Sequence, residues 1–290
     1  MPGLDEAASA GRFDFYGPHY DRFGTGLAAA LRREVYGEDL GQTGWRSAAE
    51  HTEHARRLRL GPDSRVLDVC CGSGGPSLAY AERTGCRITG LDIEPAGIAY
   101  AQAQAGARGL ADRASFRVVD CGGPLPFPDA AFDAVLCIDA IVHLPDRTGT
   151  LREWARLLGP GGRLLFTDSA VVTGAVTKAE LDVRASVGAF LLVPPGVDEA
   201  AILAAGLVPL AREDRTAATA EIAARWLAAR SHRAAALERE EGAEWCATRQ
   251  RFLAVTAELA ASRRLSRFLH LAEQPGGPGL TFAGQDPRSS

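Results

Sequence analysis

The stretch Val66-Leu67-Asp68-Val69-Cys70-Cys71-Gly72-Ser73-Gly74-Gly75-Pro76-Ser77 constrains the fold more than any other part of the chain. An apolar run of the kind buried in a parallel sheet stops at a cluster of small residues. Pro76 then stands where a helix opens, since the first helical position needs no backbone N–H. Strand, glycine turn and helix in that order let the backbone approach a ligand and aim free N–H groups at it. Cys70 disfavours positive φ, so the turn is expected to hold it in an ordinary backbone region.

Strands and helices alternate after this point. Arg87–Asp92, Ser115–Val119, the run ending at Cys137 and Arg163–Thr167 read as strands two to five, the fifth ending at Asp168. Leu207–Arg212 reads as a sixth strand, with Pro209 placing it at an edge, and Leu265–Ala272 as the last. Helices are expected between them, with two long alanine-rich ones at Thr219–Glu240 and Glu244–Ser262. Such alternation gives a parallel sheet with right-handed crossovers, and ligands bind beyond the carboxyl ends of its strands.

Composition narrows the partner. A chain of 290 residues, 46% hydrophobic and 23% charged, can bury one good core plus a cap. A net charge of −4 argues against a general nucleic-acid binder, so a small molecule is the expected partner, with no membrane contact. With no basic, apolar leader at the start and no uncharged apolar window of spanning length, the protein is expected to be cytoplasmic. The oligomeric state stays open, a homodimer being one option. Six cysteines without C-x-x-C pairing read as reduced small hydrophobes, a metalloid-binding thiol set being the alternative. His51-x-x-His54 between Glu50 and Glu53 is not H-E-x-x-H and reads as a solvated helix face, so no metal is expected.

Two cofactor classes use a glycine turn like this one. Gly72-x-Gly74-x-x-Ser77 meets the dinucleotide pattern G-x-G-x-x-G only in part, and Asp68 puts an acid where a dinucleotide strand usually has none. That placement resembles the first motif, D-x-G-x-G-x-G, of class I S-adenosylmethionine (SAM) methyltransferases, with Cys70 at the first glycine position. Phe127–Cys137 is similar to the L-P-F-x-D-x-x-F-D-x-V stretch of the same enzymes. Tyr36–Trp45 looks like their G-x-x-x-H-x-G-Y-W lead-in, with Gln42 and Thr43 departing from it.

The resemblance implies an α/β fold: a Rossmann-like seven-stranded, mostly parallel sheet, its last strand antiparallel, plus an α-helical cap or lid. The small, polar start at 1–12 reads as disordered, 13–60 as a helical lid segment, a hydrophobic clasp on the core being the plainer alternative, and 61–216 as the core. A cap follows at 217–262, then the final strand at 263–274 and a loose tail from 275. The implied cofactor is SAM, with S-adenosylhomocysteine as product. Its implied contacts are Tyr20, Asp68, Cys70, Gly72, Ser73, Gly74, Asp92, Ile93, Asp120, Cys121, Cys137 and Asp139. Asp92 takes the ribose hydroxyls, a role a two-oxygen acceptor suits, and Asp120 the adenine amino group. Tyr16, Trp45 and His143 are the expected acceptor contacts, the first two from an aromatic segment that also holds Phe13, Phe15 and Phe23.

A hydroxyl acceptor needs a base, and histidine titrates near the working pH. The context Asp139-x-x-x-His143-x-Pro145-Asp146 resembles that of sugar O-methyltransferases acting on natural products, with Val142 where those enzymes often carry a second histidine. His143 is therefore expected as the base and Asp168 as the carboxylate holding its ring. The plainer alternatives are a loop-holding His143 and a turn-forming Asp168. N- or C-methylation in an aromatic pocket, and SAM binding without transfer, also stay open.

Overall fold

A computed structural model describes residues 16–276. The segment 1–12, Phe13, Phe15 and the tail from 277 lie outside the described residues. Seven strands form one sheet: β1 (Arg65–Val69), β2 (Arg87–Asp92), β3 (Ala114–Val118), β4 (Phe132–Ile138), β5 (Leu158–Val172), β6 (Val208–Asp214) and β7 (Leu265–Glu273). Their order is β3-β2-β1-β4-β5-β7-β6. The first five pair in parallel, and β7 runs antiparallel between β5 and β6. The sheet is thus Rossmann-like and mostly parallel, with its last strand reversed.

Strand order reverses between β1 and β4, which opens a crevice at their carboxyl ends. The interior of β1 is fully apolar apart from Asp68, as a strand covered on both faces requires. Helices 75–84 and 95–107 pack on one face of the sheet, around Leu78, Ile88, Ile98 and Phe116. Helix 147–157 covers the other face with Trp154, Leu151 and Leu157. Pro209 sits on edge strand β6, beside a register shift between Pro209 and Ala211, where its missing N–H interrupts least.

Two helical regions lie over the crevice. Residues 16–57 supply helices at Tyr16–Asp21, Gly26–Tyr36 and Ala48–Arg57. Helices Thr216–Ser231, Ala234–Glu241 and Ala243–Ala261 stand between β6 and β7 in sequence. They pack on the first region through Leu31, Tyr36, Trp45, Trp226 and Phe252. The long helix expected at 219–240 is two helices, broken after Ser231.

The expected solvated face at His51 and His54 is corrected. Both imidazoles are buried, His51 stacking on Tyr80 at 3.8 Å between ring centroids. Burial pushes His51 down to about 2, so it packs as a neutral ring. The neighbouring Glu50 caps its own helix with Ser47 and reaches Arg267 of β7 at 2.8 Å.

Candidate active site

A cavity of about 540 Å³ fills the crevice, within the usual range for a small-molecule site. Its floor is the glycine turn after β1, and its sides are the ends of β2, β3 and β4. The lid contributes Tyr16, Tyr20 and Trp45, and the cap contributes Arg249 and Phe252.

The turn is tighter than the sequence implies. Cys70 has φ 59°, so the expectation of an ordinary backbone region there is wrong; Asp139, ending the adjacent strand, has φ 58°. Left-handed backbone at a residue with a side chain costs on the order of 1 kcal/mol or more, and such strain concentrates at functional sites. The turn is held by Cys71 N–H donating to Leu91 O at 2.9 Å and Gly72 N–H donating to Asp92 Oδ2 at 2.8 Å. A Cβ on Gly72 would lie 2.5 Å from the Tyr20 hydroxyl, which leaves room only for glycine under the lid.

Asp68 is buried beneath the turn and accepts from the Ser77 hydroxyl on the helix that follows. Burial pushes its carboxyl up to about 6, against the Ser77 hydrogen bond and the nearby Arg46. Asp92 accepts Gly72 N–H on one oxygen and Glu94 N–H, at 2.9 Å, on the other. Each oxygen keeps a lone pair beside the cavity, the acceptor set that two ribose hydroxyls require. Ile93, exposed, and Asp120 and Cys121, after β3, stand on the same wall.

Other expected contacts fall elsewhere. Gly74 is not on the cavity wall: a Cβ there would meet Ala101 at 2.6 Å and Phe116 at 2.7 Å, so it serves helix–sheet packing. Cys137 is fully buried below Cys70 within β4 and is likewise absent from the wall. Asp139 reaches the cavity, but its carboxylate is already committed. It accepts from Arg267 Nε at 2.6 Å, the Thr167 hydroxyl at 2.8 Å and Trp45 N–H at 2.8 Å, and so fastens the lid to the sheet.

The expected His143–Asp168 pair does not form. β5 does not end at Asp168 but runs on to Val172, so Asp168 lies mid-strand with its side chain on the face opposite its neighbour Ser169, which lines the cavity. Asp168 is buried against Arg147 Nη1 at 2.6 Å, and that nitrogen also meets Asp198 at 2.8 Å. Burial, with the facing Asp168, pushes Asp198 up to about 7. The folded chain therefore holds a proton that an unfolded carboxyl, near 3.9, gives up. The stability this proton carries is present in acid and lost as pH rises through about 7. Asp198→Asn, which mimics the protonated group, should gain in Tm over the parent from about pH 5 to about pH 8; thermal unfolding curves that stay parallel would refute the shared proton.

His143 does reach the cavity, from a single 3₁₀ turn after β4. A backbone carbonyl takes the place foreseen for Asp168: Nδ1 lies 2.7 Å from Ala189 O, which only accepts, so Nδ1 carries the proton and Nε2 the lone pair. Nε2 meets the Tyr16 hydroxyl at 3.2 Å. Burial pushes Tyr16 up to about 12, so it is the donor. Burial holds His143 below its ordinary value, partly offset by the Ala189 bond, so the ring is neutral near pH 7.

Phe190 against His143, Phe252, Arg249 and the segment 187–190 were not legible as site residues. They come from a stretch without motif and from the cap, and only the closed fold brings them together. Gln42, which departs from the lead-in pattern, orders that loop by bonding Leu40 N–H and Glu38 O.

Among known proteins, the family described as "Methyltransferase domain" matches residues 67–166. The chain is 32% identical over 210 residues to the 27-O-demethylrifamycin SV methyltransferase of Amycolatopsis mediterranei, covering 68% of this chain and 75% of that one. It is 39% identical over 131 residues to the sterol 24-C-methyltransferase ERG6B of Gibberella zeae, spanning 45% of this chain and only a third, 33%, of the relative. Phosphoethanolamine N-methyltransferase 2 of Haemonchus contortus, solved with S-adenosylhomocysteine, shares the fold with a TM-score of 0.75 at 18% identity. That match covers 91% of this chain and 60% of the other.

Proposed function

Because the chain belongs to the SAM-dependent methyltransferases of small molecules, we propose that it methylates a hydroxyl group, with His143 as the base. The observation that carries this reading is the pairing of His143 Nδ1 with Ala189 O, which leaves a neutral ring with its lone pair inside the cavity. The rifamycin relative, whose name marks an oxygen as its methylation site, adds support.

The cofactor fits the crevice at the carboxyl ends of β1 to β4, where Asp92 keeps acceptor capacity beside Gly72 and Ser73. Asp92 would hold the ribose, Gly72, Ser73, Cys70 and Tyr20 would surround the amino-acid portion, and Ile93, Asp120 and Cys121 would border the adenine. When bound, it supplies an electrophilic methyl group on a sulfonium. The acceptor hydroxyl takes the place of the Tyr16 hydroxyl on His143 Nε2, which removes its proton, and Ala189 O steadies the imidazolium through Nδ1–H. Trp45 and Phe252, stacked at 6.5 Å, flank the acceptor and keep water out.

Two measurements test the assignment. Incubation with SAM and a panel of hydroxylated small molecules should yield products heavier by one methylene, and gain only on amine or carbon acceptors would transfer the reading to N- or C-methylation. Asp92→Ala should weaken SAM binding by about two to four orders of magnitude in calorimetry, since two charge-assisted hydrogen bonds of about 1.5–3 kcal/mol each are lost. Unchanged affinity would remove Asp92 from the ribose site.

A further inference from the structure

The end of the cavity that faces the acceptor carries positive charge. Arg249 lines the wall, and its guanidinium carbon lies 5.8 Å from the Phe252 ring centroid. Arg184 lies directly behind the same wall, buried, 4.6 Å from the Phe252 centroid and 4.8 Å from that of Phe190. Among the described residues Arg184 has no carboxylate partner: Nη1 donates to the Thr256 hydroxyl at 2.6 Å and Nε has no acceptor. Burial pulls this guanidinium down to about 10, as it must when no anion compensates.

The acids of the cavity sit at the other end. Asp68 and Asp92 stand near or at the ends of β1 and β2, Glu94 and Asp120 follow β2 and β3, and Asp139 is tied to Arg267. The acids thus gather toward the cofactor, with Arg46 beside Asp68 among them, while Arg249 and Arg184 stand toward the acceptor. A buried guanidinium that lacks a protein counter-ion is costly unless a ligand supplies one. Phe190 ties this charge to the reacting position, since its centroid is 4.8 Å from that of His143.

Resting on the methyl-transfer reading above, we propose that the acceptor bears an anionic oxygen group, a carboxylate or a phosphate, beside the hydroxyl to be methylated. Arg249 contacts that group and Arg184 adds its field through the Phe190–Phe252 wall. A guanidinium suits either group, because its fork of donors matches two oxygens of the anion.

The test uses the full chain saturated with S-adenosylhomocysteine and three probes: salicylate, neutral salicylamide and phenyl phosphate. Calorimetry should show salicylate binding about tenfold or more tightly than salicylamide, the two differing only in the charge of one substituent. The ratio of salicylate to phenyl phosphate identifies which anion the site takes. Arg249→Met should bring the salicylate-to-salicylamide ratio near one while S-adenosylhomocysteine affinity stays unchanged, and Arg184→Met should lower it. Salicylate and phenyl phosphate both binding no more tightly than salicylamide, no binding of any probe, or an anion preference unmoved by both variants would overturn the proposal. The parent comparison decides the matter even if a variant does not fold. Loss of S-adenosylhomocysteine binding would strike the methyl-transfer reading instead, and the three probes on the ligand-free protein would still decide the anion question.

Discussion

His143→Ala is expected to lower kcat by about 10²–10⁴ with SAM affinity near the parent value, the range for loss of a general base. The reason lies in the ring's two contacts. Ala189 O fixes the proton on Nδ1, so Nε2 can only accept, and it accepts inside the cavity. The burial that holds His143 below its ordinary value sets the pH profile. The base works when neutral, so kcat should rise with pH through a value below about 6.5 and be flat above it. Steady-state kinetics with a hydroxyl acceptor across that range reads both quantities, and the acid limb should vanish in the variant. Unchanged turnover, or an acid limb that survives, would leave His143 as a loop-holding residue. Asp168→Asn supplies the contrast: it should cost stability through Arg147 while leaving the acid limb in place, because Asp168 does not touch the imidazole.

Arg267→Met should reduce unfolding free energy by about 3–5 kcal/mol, the loss seen when one member of a buried ion cluster is removed. Arg267 is buried in β7, with Nε on Asp139 at 2.6 Å and Nη1 on Glu50 at 2.8 Å. Burial would lower its pKa, but the two carboxylates outweigh that and raise it, so the guanidinium stays charged. Without it, two acids remain under the lid with no cation between them. Glu50 then strains the capping box of helix 48–57, and Asp139 loses the partner that orients it toward Trp45 N–H. Urea unfolding reads the first effect, and faster hydrogen exchange at the Trp45 backbone N–H the loosened lid. A loss within about 0.5 kcal/mol, the size of a surface change, would show that the cluster is not needed for stability.

The strands, their parallel order and the glycine turn were legible because each depends on neighbours in sequence: an apolar run, a cluster of small residues, a proline at a helix start. Asp92 and Asp120 were legible for the same reason, since the end of a strand fixes where its next residue stands. Asp168 was misread because β5 extends beyond the expected stop, pairing with β7 as far as Val172–Leu265, and pairing with a distant strand leaves no local mark. The strain at Cys70 was hidden likewise, as Leu91 O and Asp92 hold the turn from another strand. His51 and His54 read as solvent-facing because their helix is rich in charge, yet it is Tyr80, from helix 75–84, that covers His51. Arg249 carries no motif and reaches the cavity only because the cap lies over the crevice.

The cap's point of attachment bears on how such an enzyme diverges. Helices 216–261 leave the sheet after Asp214 and return at Leu265, and Asp214 pairs with Phe268, so exit and entry are adjacent. A segment spliced between two bonded neighbours can be lengthened, shortened or exchanged without moving any strand. Here that segment brings Arg249 and Phe252 to the cavity, whereas Asp92 and Gly72 belong to the sheet and its turns. Selection acting on the splice alone would retune which molecule is accepted and leave the nucleoside half of the cleft as inherited.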